Sequence, residues 1–328
     1  MLKKVIISRT DNLGDVILTL PLTGFLKLKY PELNILFIGK KYTESIINTS
    51  QNVDEFLDRE EIIKTGKLPD ADAIIFVFPD KDLASIAKKS KIKTRIGTSH
   101  RLFHWLFCNK LINFSRKKSD LHEAQLNFKL FKGLNLETEV QQEDLAQFFN
   151  LKAKPLQNPE VEKLINPEKT NLILHPKSKG SAREWPMESY QNLVEHLPKD
   201  KFNFFISGTH DEGLKIKAEN NEIFGLENVI DITGKFSLEE FISFIDLTQG
   251  LIACSTGPLH IAAGLGKFAL GIYPSNRPMH PGRWAPIGEK ATFIEADEVV
   301  GKGMESDDVT LITPEMIAKK VMEAFNFH

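Results

Sequence analysis

Residues 250–284 read GLIACSTGPLHIAAGLGKFALGIYPSNRPMHPGRW, and this stretch decides the fold. Residues 251–254, Leu-Ile-Ala-Cys, are apolar and have the length of a buried strand. Ser255, Thr256 and Gly257 form a small-residue turn. Pro258 suits the first position of a helix, where its missing N–H would be unpaired anyway. The spacing predicts a short helix from Leu259 to about Leu265, ended by Gly264 and Gly266, and then a second strand over 268–273. Strand, turn, helix and strand make a right-handed parallel unit. Its turn lies at the carboxyl end of the first strand, where open parallel sheets bind ligands. The amides of Gly257, Leu259 and His260 converge there and the helix dipole favours an anion, so a phosphate or pyrophosphate is expected at this turn.

The same alternation extends in both directions. Downstream, residues 309–313 lead into a helix from Pro314, with Thr313 as its N-cap. Upstream, strands are expected at 171–175, 202–208 and 229–231, with helices over 185–197 and 211–219 and a cap at Ser237-Leu238-Glu239-Glu240. In the first half, strands are expected at 5–8, 35–39 and 73–78, with a further strand-like piece near 52–56. Helices are expected over 16–29 (with a kink or break at Pro21), 42–48 and 122–134. The fold class is therefore α/β, with two doubly wound Rossmann-like domains facing each other across a cleft. The polar, proline-bearing stretch 137–168 holds the boundary. It divides the chain into an N-terminal domain 1–160, a C-terminal domain 161–313, and a final helix 314–328 that would pack back on the N-terminal domain.

The chain has 328 residues, 41% hydrophobic and 26% charged, with 23 Phe and a formal net charge of −2. This is a soluble globular composition, and it is not that of a globally basic nucleic-acid binder. Cys108 and Cys254 are far apart and show no metal spacing, so a reducing compartment is expected. No run approaches the roughly 20 apolar residues of a membrane span, and no targeting segment is visible at the start. The expected location is the cytoplasm, with peripheral contact at the cytoplasmic face of the inner membrane. Charge is uneven: residues 81–120 carry eleven Lys/Arg against two Asp/Glu. Inside this segment lies the aromatic run Arg101-Leu102-Phe103-His104-Trp105-Leu106-Phe107. It reads either as a solvated basic face over a buried helix, or as a surface for an anionic amphiphile or leaflet. Nucleic acid is the weakest partner because no nucleic-acid motif accompanies the patch.

Neither a glycine-rich dinucleotide fingerprint nor a phosphate-cradling Walker loop is present. Asp70-Ala71-Asp72 precedes its strand and reads as a solvated turn, so no metal is expected. A departing phosphate would then need protein cations. Lys177, Lys179 and Arg183 supply them from the loop 175–186, which follows a strand as the 255–257 turn does. The alternative is that these are merely exposed loop cations. In the first loop, Arg9-Thr10-Asp11-Asn12-Leu13-Gly14-Asp15, either aspartate is a candidate base, and Asp15 could equally cap the first helix.

These motifs, in this order, resemble glycosyltransferase family 9, the ADP-heptose:lipopolysaccharide heptosyltransferases. The match runs from residues 7–21 through Arg183-Glu184-Trp185-Pro186 and Thr233-Gly234-Lys235 to residues 255–263. The resemblance implies the GT-B fold, with the acceptor on the N-terminal domain and the nucleotide-sugar on the C-terminal domain. It also implies inverting transfer without metal or other cofactor, from an ADP-sugar to a lipopolysaccharide core or similar glycolipid. Asp15 falls at the family's catalytic base. Arg183 falls at its donor-phosphate cation, and Thr256, Gly257 and His260 at its diphosphate loop. Ser255 and His210 stand where the family often has acidic residues that contact the donor. The acceptor would meet Asn12, Gly14, Lys93, Arg95 and Arg101. A non-catalytic nucleotide-sugar or anionic-glycan binding protein, and a GT-B nucleotide-sugar epimerase, are the alternatives.

Overall fold

The computed structural model describes residues 2–178, 180–301 and 306–327. The chain divides into two compact units, Met1–Lys152 and Ala153–His328. The first unit holds six strands: β1 (Lys4–Ser8), β2 (Asn34–Gly39), β3 (Glu55–Asp58), β4 (Ala73–Phe76), β5 (Thr94–Thr98) and β6 (Lys110–Ile112). They lie in the order β3-β2-β1-β4-β5-β6, and every pair is parallel. The second unit holds β7 (Thr170–His175), β8 (Phe202–Ile206), β9 (Val229–Asp231), β10 (Gly250–Cys254), β11 (Phe268–Tyr273) and β12 (Ala291–Glu295). Their order is β12-β11-β10-β7-β8-β9, again all parallel.

Read from its own first strand, each sheet has the same doubly wound order, so each reverses direction once: between β1 and β4, and between β7 and β10. A crevice opens at such a switch point because the two flanking loops leave toward opposite faces of the sheet. The middles of the central strands are apolar, as burial on both faces requires; Val5, Ile6 and Ile7 of β1 and Leu251, Ile252 and Ala253 of β10 are fully buried.

The boundary falls upstream of the expected 160 for a visible reason. Residues 150–152 still pair with the first unit: Gln51 N donates to Asn150 O at 2.8 Å and Lys152 N to Thr49 O at 2.9 Å. The preceding turn is locked by an aromatic cluster of Phe25, Phe128, Phe131 and Phe148, with ring centroids 5.3–5.9 Å apart. At its centre Gly24 meets the Phe148 backbone so closely that a Cβ there would lie 2.0 Å from the carbonyl oxygen.

The final helix, Pro314–Ala324, expected from the sequence as a separate element, belongs to the second unit and packs on its core. Ile317, Ala318 and Val321 join the core beside the helix Met187–His196. Trp185 Nε1 donates to Ile312 O at 2.9 Å, just before that helix. Phe325 and Phe327 stand edge-on to Phe202 at 6.4 and 5.2 Å. Each such buried side chain contributes about 1.5–3 kcal/mol, enough to hold the helix where its apolar stripe is covered. Thr313 occupies the N-cap position but its side chain makes no cap bond.

Other local expectations are refined. Pro21 starts a second helix, Pro21–Lys29, after a first that ends at Ile17. The expected helix over 122–134 is α-helical only across Glu123–Phe128 and continues as a 3-10 helix, Lys129–Leu134. Asp72 is more than a solvated turn residue: its Oδ2 accepts from Lys3 N at 2.6 Å and Lys4 N at 2.9 Å, tying down the start of β1. These donors hold its carboxyl below the usual range.

Candidate active site

In the first unit the switch-point loop after β1 begins with Arg9, which is 3% exposed. A buried guanidinium needs partners on all its donors, and Arg9 finds a different carboxylate on each nitrogen. Nε donates to Asp11 Oδ1 at 2.7 Å, Nη1 to Glu123 Oε1 at 3.1 Å, and Nη2 to Asp15 Oδ1. Glu123 also accepts from Arg116 Nε at 3.0 Å. Arg116 Nη2 reaches Asn127 Oδ1 at 2.9 Å and Val77 O at 3.2 Å, and so ties in the chain just after β4, on the other side of the switch point. Asn127 Nδ2 donates to Leu18 O at 3.2 Å and Thr19 Oγ1 at 3.3 Å. The helix Glu123–Phe128 thereby bolts Arg9 to the joint between the first two helices.

Asp15 does not cap its helix. Asn12 is the N-cap, exposed and without a side-chain cap bond, and Asp15 sits in the first turn of Leu13–Ile17, where Gly14 precedes it. Its carboxylate is 14% exposed; Oδ1 is held by Arg9, and Oδ2 has no hydrogen bond among the described residues. Burial pushes the Asp15 carboxyl up, Asp11 and Glu123 add to the rise, and Arg9 opposes it, leaving the group at about 6. A carboxylate with one oxygen fixed and one open, titrating near neutrality, is equipped to accept a proton.

In the second unit, β10 ends at Cys254, and Thr256 is the extended N-cap of the helix Gly257–Gly264, with Pro258 in its first turn. Thr256 is 5% exposed, yet its hydroxyl neither caps the helix nor finds any other partner among the described residues. The amides of Gly257 and Leu259 make no hydrogen bond there either, whereas the His260 amide is taken by Thr256 O at 3.4 Å. The convergent donors are thus two amides and one hydroxyl, and His260 contributes a buried side chain behind them. Ser255 is half-buried, and Tyr273, at the end of β11, donates its hydroxyl to Trp284 O at 2.5 Å.

The loop after β7 flanks the same switch point. Lys177 is buried, with Nζ 2.7 and 2.6 Å from the two Glu219 oxygens and 3.2 Å from Glu184 Oε2. Glu184 Oε1 in turn accepts from Ser178 N at 2.8 Å and Ser178 Oγ at 2.9 Å. Lys177 is therefore a neutralised strut of the loop, not an exposed cation. Arg183 is half-exposed and pairs with Asp307 at 2.6 Å. Lys179 lies outside the described residues. His210 is exposed at the start of His210–Glu219, beside Gly234, whose amide bonds Gly208 O at 2.9 Å. Gly234 has φ +69°, and a Cβ there would come within 3.0 Å of His210.

The expected acceptor residues are split. Asn12, Gly14 and Arg101 lie at the carboxyl side of their sheet; Arg101 precedes the helix Leu102–Phe107, which follows β5. Lys93 and Arg95 do not join them. Register places Arg95 beside Ile74 and Ile6, and Lys93 precedes it at the amino end of β5. Arg95 is thus about three residues, roughly 10 Å, and Lys93 about five residues, roughly 17 Å, below the Arg9 loop. Arg95 is engaged locally, donating to Phe107 O at 2.7 Å and Ile92 O at 2.5 Å.

Sequence reasoning missed Arg9, Glu123, Arg116 and Asn127 as a unit. A charged residue directly after the buried run Val5 to Ser8, and Glu123 and Asn127 four apart on the buried face of a helix, are the signals that mark them. Among the described residues no group of three or more His, Cys, Asp or Glu is arranged to hold a metal. No described helix is long and apolar enough to cross a membrane.

The profile of Glycosyltransferase family 9 (heptosyltransferase) matches residues 71–309. A Haemophilus influenzae protein with only a general glycosyltransferase designation is 25% identical over 316 residues, covering 92% of this chain and 91% of that protein. Lipopolysaccharide core heptosyltransferase OpsX of the same organism is 22% identical over 315 residues, 90% of this chain and 85% of its own. The structure of E. coli heptosyltransferase WaaC with ADP superimposes with a TM-score of 0.75 at 15% identity, over 98% of this chain and 99% of that one. The fold is that of the two-unit GT-B enzymes, and the chain belongs to glycosyltransferase family 9, the heptosyltransferase family.

Proposed function

We propose that this glycosyltransferase moves a heptose or related sugar from an ADP-sugar to a lipopolysaccharide core or similar glycolipid, with inversion and without a metal. The observation that carries the reading is the donor cluster at the second unit's switch point: the Thr256 hydroxyl, buried and unpaired among the described residues, with the open amides of Gly257 and Leu259 at a helix N-terminus. Three neutral donors and a helix dipole suit a diphosphate. The ADP in the WaaC structure supports that choice, and the name of OpsX supports a lipopolysaccharide acceptor.

In this reading the second unit takes the donor and the first takes the acceptor. The acceptor hydroxyl gives its proton to Asp15 Oδ2 as its oxygen bonds the anomeric carbon. The bond from that carbon to the diphosphate breaks, and the nucleoside diphosphate leaves with its new negative charge facing the donor cluster. A single displacement of this kind inverts the anomeric centre. Arg183, exchanging Asp307 for phosphate, adds a cation.

The helix Leu102–Phe107 supports a further element of the reading, peripheral contact with an anionic inner leaflet from the cytoplasmic side. Leu102, Trp105 and Leu106 are 87%, 64% and 65% exposed, in a segment rich in Lys and Arg. Exposed apolar side chains framed by cations suit a headgroup boundary. Nucleic acid has no part in this reading.

The test is a panel of nucleotide-sugars incubated with and without deacylated core oligosaccharide. Acceptor-dependent release of ADP, lost in Asp15→Ala, is the expected result. Binding of donors with no release under any condition would make the protein a carrier and overturn the assignment.

A further inference from the structure

The buried charges around Asp15 do more than neutralise one another. Arg9 joins three carboxylates from two parts of the chain, and the contact to Glu123 spans 114 residues. Arg9 and Asp11 approach Asp15 from its own loop, Glu123 approaches from the helix Glu123–Phe128, and Tyr42 approaches from the 3-10 turn Lys41–Thr43, its hydroxyl donating to Asp11 O at 2.7 Å. Arg116 stands behind Glu123. With all groups ionised there are two cations against three carboxylates, so the cluster has room for one proton. Asp15 is the member placed to take it: Arg9 holds its Oδ1, its Oδ2 has no hydrogen bond among the described residues, and burial raises its carboxyl to about 6.

We propose that Arg9 is a positioning residue for Asp15, held in place by Glu123 and Arg116, and that this chain of pairs fixes which Asp15 oxygen meets the acceptor hydroxyl. The assignment rests on Asp15 being the base. Fixing Oδ1 leaves a single oxygen and a single direction for proton acceptance, which a freely rotating carboxylate would lack. The same contacts set the charge balance. Arg9 favours ionised Asp15, while Glu123 and Asp11 disfavour it.

The two partners therefore have opposite signatures. Arg9→Gln removes the cation, so the Asp15 titration moves up by about one pH unit or more. Glu123→Gln removes a like charge at nearly constant shape, so it moves down by about one unit. Arg9→Lys keeps the charge but not the three-way fork. It returns the titration close to the wild-type position while turnover stays at least about tenfold low. The titration is read on 13C-labelled aspartate by NMR, with the Asp15 signal identified by its loss in Asp15→Asn. Turnover of ADP-heptose with deacylated core is followed across pH in parallel.

If Asp15 titrates in both glutamine variants within about 0.3 pH units of the wild type, the positioning role is wrong whatever the turnover shows. If instead Asp15→Asn turns over at the wild-type rate, the base assignment fails and the titration result stands by itself. Glu123→Gln carries the test if Arg9→Gln does not fold.

Discussion

Replacing Thr256 by Val separates a ligand site from a structural one, because the two predict opposite signs. The Thr256 hydroxyl is buried, makes no cap bond and has no other partner among the described residues. An unpaired buried hydroxyl costs about 1–3 kcal/mol. Valine has the same shape, suits the extended backbone at this position (φ −131°, ψ 161°) and carries no group to desolvate. The free protein should then gain about 1 kcal/mol, which raises the melting temperature of a unit of this size by roughly 2–4 °C. A hydrogen bond to a charged phosphate is worth about 1.5–3 kcal/mol, so ADP should bind about 10- to 100-fold more weakly. Calorimetric unfolding with and without ADP, and titration calorimetry with ADP, read both quantities. A variant that melts lower and binds ADP unchanged would refute the reasoning and return Thr256 to a purely structural role.

Three further outcomes are expected. Asp15 titrates at about 6 in the folded protein, above its ordinary 3.8, so its contribution to stability is fully present below about pH 4 and is lost as pH rises through 6. The loss is about 3 kcal/mol. Asp15→Asn should therefore resist urea better than the wild type at pH 8 and match it at pH 4; a less stable variant at pH 8 would contradict this. Gly24→Ala puts a methyl 2.0 Å from a backbone oxygen and should destabilise the first unit by about 3 kcal/mol or more; an unfolding midpoint equal to wild type would show that the Phe148 turn yields easily. Exchanging Leu102, Trp105 and Leu106 together for Ser should lower partition onto vesicles containing anionic lipid at least about tenfold, with little effect on stability because all three are exposed. Unchanged partition would assign membrane contact elsewhere or nowhere.

Much of the fold is local in origin and so was legible in the chain. Apolar runs of strand length, such as residues 251–254 and 73–76, alternate with capped helices, and the Ser237 to Glu240 capping box forms as its spacing requires. What escaped is the strand β12 of the second unit and the charged part of the first unit. β5 and β6 and the helix between them are built from TRIGT, LFHWLF and KLI. Lys110 opens β6, and Arg95, second in β5, gives its guanidinium to the carbonyls of Phe107 and Ile92, so charged residues interrupt the period-two pattern.

The sequence by itself determined that the chain is two parallel α/β halves, that a helix N-terminus at residues 256–259 offers donors to an anion, and that the loop bearing Asp15 follows a buried strand. Those features depend on neighbours within a turn or two. The tertiary structure decided how that donor set is composed: the Thr256 hydroxyl is open and the His260 amide is not. It also decided that Lys177 is occupied by Glu184 and Glu219, and that Lys93 and Arg95 lie at the wrong end of β5. Finally, it decided that Asp15 pairs with Arg9, itself anchored 114 residues away by Glu123. A buried charge must have a partner, but nothing in the local sequence says which one. Only the strand order and the packing of distant helices bring the candidates within reach.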